Sequence, residues 1–204
     1  MPGVQAVPFR ETSETFGMIC DSRISRQRIA DVLRQRRSEP DLPWEVWRQT
    51  EEQFTDFLQR PDMADAHSGL DVYKFVQFTE PLDFPEAIDV LKAKGYQPCD
   101  FRHLLLALVL SKDRINLPME TRGGNTRGDM VVLGETAFGE DNPWLPGAQV
   151  SYHEVDSWRL LLARNWNELM TEKWRGHWHV LTRLGGTTKA WFQFFLWYNQ
   201  MLVK

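Results

Sequence analysis

A chain of 204 residues, 42% hydrophobic and 25% charged, has the proportions of an ordinary soluble protein and room for one substantial domain, with or without an appendage. A net charge of −4 argues against nucleic-acid binding by bulk charge, two cysteines cannot build a disulfide framework, and no stretch reaches the roughly 20 apolar residues of a membrane span. The start, MPGVQAVPFRE, lacks the basic and apolar regions of a signal peptide, so a reduced, cytoplasmic protein is expected.

Residues 1–15, with Pro2, Gly3 and Pro8, read as a loose arm. From Asp21 the spacing of Ile24, Ile29, Val32 and Leu33 predicts a helix that ends before Pro40. It carries Arg23, Arg26, Arg28, Arg34, Arg36 and Arg37 against a single Asp31. A nucleic-acid reading would place Arg34, Arg36 and Arg37 on phosphates. A second helix is expected from Asp41 to Pro61, and its Glu45, Glu51, Glu52 and Asp56 offer an acidic side that could face the Arg helix instead.

The β-rich run LDVYKFVQF predicts a strand over 70–78. Next comes the best-punctuated stretch of the chain, Leu82 to Leu110. Asp83 caps a helix with Glu86 three residues on, Gly95 ends it, and Pro98 prevents it from resuming. Asp100 then caps a second helix whose stripe is Phe101, Leu104, Leu105, Leu108 and Val109. His103 falls opposite that stripe, is expected to face solvent, and is given no role.

Residues 111–129 read as a loop in which Arg122, Asn125 and Arg127, among glycines, suit an anionic ligand. Strands are expected at 130–135 and within 148–184, with Trp144 held in an irregular turn between two prolines. If 177–184 is a strand, His177 and His179 share a face, and with His153 they compose a possible metal set for a hydrolase. No other catalytic constellation is evident: there is no nucleophile elbow, no phosphate loop and no Cys–His framework. The C-terminal run Trp191–Val203 is so apolar that it must be covered, within the fold or by a protein partner or second copy.

Three of these stretches, PEAIDVLKAKGYQPCDFRHLLLAL, DMVVLGE and HWHVLTR, together resemble a group of uncharacterised bacterial proteins, many from candidate-phylum genomes. The resemblance covers Phe75 to Arg183 and implies a helix–corner–helix followed by a Trp-rich sheet, with no particular activity. GYQPCDFRHLLLAL is also similar to the helix that opens formylglycine-generating-enzyme and C-type-lectin domains. No cysteine follows Cys99, so the former activity is not implied; Gln97-Pro98 and Trp166-Asn167-Glu168 lie too far apart for the lectin calcium motifs.

The expected fold is therefore α+β: an N-terminal helical pair (1–61), a core domain (62–188) with a central helix–corner–helix and a mostly antiparallel sheet, and an apolar closing segment (189–204). The expected role is non-catalytic recognition of a macromolecule or ligand through Arg122, Asn125 and Arg127 and through exposed Trp144, Trp166 and Trp174, with no cofactor. Nine tryptophans motivate that reading.

Overall fold

The structure, a computed structural model, describes residues 7–21, 23–35, 58–60, 69–110, 117–122, 125–136, 143–153, 155–172 and 175–185. The second predicted helix lies outside these residues apart from its end, and so do Trp174 and the apolar run Trp191–Val203.

Among the described residues the sheet has nine strands: β1 (Phe9–Glu11), β2 (Phe16–Cys20), β3 (Gly69–Phe78), β4 (Tyr96–Pro98), β5 (Glu120–Arg122), β6 (Asn125–Val131), β7 (Trp144–His153), β8 (Val155–Asn165) and β9 (Trp178–Leu184). Its spatial order is β1-β3-β9-β6-β7-β8, with β2 beside β3, β4 beside β9 and β5 beside β6. The helices are α1 (Arg26–Gln35), α2 (Phe84–Ala93), α3 (Phe101–Leu110) and the single turn α4 (Trp166–Leu169). The α+β class holds. The sheet, however, is mixed rather than uniformly antiparallel, because β6 and β9 run parallel at its centre.

Strand alternation builds two apolar layers. On one face Phe16, Met18, Cys20, Tyr73, Phe75, Met130 and Leu181 pack with α1 and α3 through Ile29, Ala30, Phe101, Leu104, Leu105 and Leu108. On the other, Val72, Val76, Phe78, Val131, Val180 and Leu184 pack with α2 and α4 through Ala87, Leu91, Trp166 and Leu169. Because both faces are covered, apolar residues of β3 fall at both alternations, Tyr73 and Phe75 on one face and Val72, Val76 and Phe78 on the other.

The N-terminal arm is corrected by the structure. β1 and β2 are antiparallel partners of β3, with Phe9 opposite Phe78 and Phe16 opposite Tyr73, so the sheet crosses the boundary drawn at residue 61. β1 is only three residues long, too short for its alternation to show in sequence; Phe9, Phe16, Met18 and Cys20 are buried.

The Leu82–Leu110 stretch behaves largely as expected. The Asp83 side chain accepts from the Glu86 amide at 2.7 Å while Glu86 accepts from the Asp83 amide at 3.1 Å, closing a capping box. Gly95 has φ 83°, a left-handed conformation that side chains with a Cβ rarely adopt. The corner is more than a corner: Tyr96–Pro98 adds to β9, which fixes where α3 begins.

Candidate functional site

The N-terminus of α3 organises the most polar part of the first core layer. Asp100, immediately before the helix, accepts from the His103 amide at 3.2 Å and so serves as its N-cap. A second exposed amide of that turn, Phe101 N, donates to Glu135 Oε2 at 2.8 Å. Arg26 joins both carboxylates, donating to Glu135 Oε1 at 2.6 Å and to Asp100 Oδ2 at 3.4 Å. All three side chains are nearly excluded from solvent. Such a buried charge group holds only because every member is paired, and the loss of one partner strands the others.

His103 is the expectation most changed by the structure. Its side chain is 12% exposed, not turned to solvent, and its Nδ1 lies 2.5 Å from Asp100 Oδ1. The ring packs against Tyr73 with centroids 5.5 Å apart, and the Cys20 thiol is close enough to act on its charge. With Nδ1 at Asp100, Nε2 is the ring nitrogen available to that thiol. Burial disfavours the imidazolium, but hydrogen bonds to Asp100 and Cys20 and the Asp100 charge outweigh it, pushing the His103 pKa up to about 9. Asp100 responds in the opposite sense: burial raises its pKa, yet the His103 hydrogen bond and the charges of His103 and Arg26 bring it below the usual carboxylate value.

Cys20 closes the group. It is the last residue of β2, 4% exposed, and its Sγ is 3.1 Å from the Tyr73 hydroxyl. Strand alternation turns Phe16, Met18 and Cys20 inward and leaves Ile19 71% exposed, so the thiol lies within the first apolar layer at the end of a strand. Burial drives the Tyr73 phenol strongly upward in pKa, so the hydroxyl keeps its proton, which it donates to Asp71 Oδ2 at 3.4 Å. The other cysteine, Cys99, is fully buried and its thiol is likewise pushed up by burial. A nucleophile, an imidazole and a carboxylate thus meet from β2 and the first turn of α3, in a chain whose sequence shows no Cys–His spacing motif. Two signals were legible: the inward alternation of FGMIC and the Asp100-x-x-His103 capping pattern.

The residues singled out from sequence are dispersed. Arg122 and Asn125 are register partners closing the β5–β6 hairpin, and Arg127 lies opposite Glu120, so this segment is a hairpin rather than an open loop. Gly128 in β6 is there for space: a Cβ would meet the Pro118 carbonyl oxygen at 2.4 Å. Trp144 is exposed but opens β7, whereas Tyr152, near the other end of β7, pairs with Thr126 of the hairpin. Trp144 and the hairpin therefore stand at opposite ends of one strand and cannot share a small ligand. Trp166 is 0% exposed and donates its indole N–H to the Leu82 carbonyl at 2.9 Å, so it is a core residue and not a binding tryptophan.

The histidines also separate. His153 ends β7, while Asp129 of β6 aligns with Trp178 of β9, which puts His177 two strands away and several residues along from His153. His177 is 3.8 Å from Glu120. His179 is buried, bonds Thr12 through Nδ1 at 2.9 Å, and has no partner for Nε2 among the described residues. Burial pulls its pKa down to about 4. Among the described residues no three His, Cys, Asp or Glu side chains are grouped to hold a metal ion.

Of the basic helix, Arg34 lies in α1 and Arg36 and Arg37 lie outside the described residues. Arg26 is committed to the buried carboxylates, and Arg23 is bound to Asp21 at 2.8 Å, so two of the six arginines serve the chain itself. No helix among the described residues is long and apolar enough to cross a membrane.

Compared with protein families, with curated proteins and with solved structures, this chain matches none.

Proposed function

We propose that this protein is a thiol-dependent acyl-transfer enzyme with Cys20 as nucleophile, His103 as acid–base partner and Asp100 as the residue that holds the ring. The single observation that supports it most is the cluster in which Cys20 Sγ lies 3.1 Å from the Tyr73 hydroxyl, the Tyr73 ring packs on His103, and His103 Nδ1 is held 2.5 Å from Asp100. The thiolate is the nucleophilic form of a cysteine, and an imidazole is the side chain that most often serves one as acid–base partner.

In this reading the Cys20 sulfur attacks an acyl carbonyl, forming a C–S bond, and the bond to the leaving oxygen, nitrogen or sulfur breaks. His103 Nε2 passes its proton to that leaving atom. Water or a second acceptor then attacks the thioester carbonyl, giving its proton to His103; the C–S bond breaks, the acyl group leaves on the acceptor, and the Cys20 thiolate is freed. An imidazole with a pKa of about 9 is protonated at neutral pH, which suits the acid role in the first step.

The experiment is turnover of a panel of activated esters and thioesters, together with alkylation by iodoacetamide. Hydrolysis that vanishes in Cys20→Ser and falls at least about 100-fold in His103→Gln supports the assignment. Equal rates in wild type and Cys20→Ser would remove it. Non-catalytic recognition, the role expected from sequence, is then left with the β5–β6 hairpin, where Arg122 and Asn125 stand side by side. Partner capture that depends on these residues, without turnover, would favour it.

A further inference from the structure

Around His103 the charged side chains form a short chain: Glu135 to Arg26 to Asp100 to His103, with Arg26 contacting both carboxylates. We infer that Glu135, whose carboxylate bonds Arg26 and Phe101 N and not His103, is a positioning residue that sets the acid strength of the His103 imidazolium through Arg26. The inference rests on the thiol-centre reading for its importance to chemistry, but its electrostatic content can be measured without turnover.

The geometry makes Arg26 a shared resource. Its Nη1 is 2.6 Å from Glu135 and its Nη2 is 3.4 Å from Asp100, so Glu135 has the shorter contact and Asp100 the longer. Asp100 correspondingly gives its close contact, 2.5 Å, to His103. Two positive and two negative charges therefore balance when all four groups are ionised. Neutralising Glu135 leaves Arg26 to compete with His103 for Asp100 and leaves the group with an excess positive charge. Both effects make His103 release its proton more readily.

The remaining charged and titratable neighbours do not duplicate this role. Asp71 and Arg183, on β3 and β9, pair with each other at 3.4 Å. Arg102, on α3, donates to the carbonyls of Asp21 and Ile24, the former at 2.6 Å. Asp21 itself binds Arg23. Tyr73 and the buried Cys99 are held neutral by burial, and Cys20 is the group being served. Glu135 also clamps the helix start through Phe101 N at 2.8 Å, so its carboxylate touches the turn that carries both Asp100 and His103. Burial raises the pKa of Glu135 above an ordinary glutamate, so mild acid acts on it sooner than on an exposed carboxylate.

The test is a titration of the His103 ring by NMR in the full chain, wild type against Glu135→Gln. The glutamine retains an oxygen for Phe101 N and removes the charge. The His103 pKa is expected to fall by about 1 unit. Arg26→Gln should shift His103 in the opposite direction, upward, because Asp100 loses its other cation, and it is read in place of the first variant if that one fails to fold. A His103 pKa unchanged in a folded variant overturns the inference. A shift of His103 in a protein whose Cys20 is inert to iodoacetamide keeps the electrostatic coupling and removes the catalytic reading, so the two failures are distinguishable.

Discussion

His103 and Asp100 form a 2.5 Å contact across one turn of helix, and the same pair caps that helix. The Asp100 carboxylate therefore does two things: it satisfies an amide that helix geometry leaves without a partner, and it holds the imidazole of the same residue. Helix capping and the charge of His103 share a residue pair, which makes pH the first handle on both.

Because the folded-state pKa of His103 is raised from 6.5 to about 9, its charge stabilises the fold fully below pH 6.5, and that stability is lost as pH rises through about 9. The effect is on the order of 3 kcal/mol for the His103–Asp100 pair taken together. Denaturant unfolding at pH 6, 8 and 10 should show wild type losing stability that His103→Gln does not lose. Parallel curves for the two proteins would contradict the pairing.

His179 works at the other end of the scale. Its folded-state pKa is lowered to about 4, so below pH 6.5 the unfolded chain binds a proton that the folded chain refuses. Stability is complete above pH 6.5 and declines as pH falls toward 4, by roughly 3 kcal/mol. His179→Gln should flatten this acid limb in urea unfolding measured between pH 4 and 7.

Trp166 tests whether tryptophan here is core or contact surface. It is fully buried, packs edge-on against Phe78 and Phe84 with centroids 5.7 and 5.5 Å away, and bonds Leu82. Trp166→Phe should cost about 1–3 kcal/mol by leaving the Leu82 carbonyl without its donor, and Trp166→Ala about 3–5 kcal/mol by opening a cavity. Thermal unfolding measures both, and a Trp166→Ala protein of wild-type stability would return this residue to the surface.

The glycines of the hairpin region separate close approach from flexibility. A Cβ at Gly128 would meet the Pro118 oxygen at 2.4 Å and Met119 Sδ at 2.8 Å, whereas a Cβ at Gly176 meets nothing within 4 Å. Gly128→Ala should lower stability by about 1–3 kcal/mol and Gly176→Ala by much less, as read from unfolding midpoints. Equal midpoints would show that the Pro118 strand end moves aside without cost.

The sequence by itself determined the local structure wherever the determinants are neighbours in the chain. Asp83 with Glu86, Gly95 and Asp100 mark helix ends through hydrogen bonds and dihedral preferences that act over a few residues, and all four act as those preferences dictate. The same short-range physics put Asp100 next to His103, but could not say which way the ring faced. That depended on β2 lying at one edge of β3 and on α3 crossing the face beneath which Cys20 turns inward.

Likewise, the parallel alignment of β6 with β9 and the burial of Trp166 are set by partners far away in sequence. Composition suggested exposed tryptophans and a charged arginine surface. Packing decided that Trp166 fills the core and that Arg26 neutralises two buried carboxylates. The candidate site is a product of that long-range arrangement: Cys20 and His103 are 83 positions apart and meet because strand pairing and helix packing bury both on the same side of one sheet.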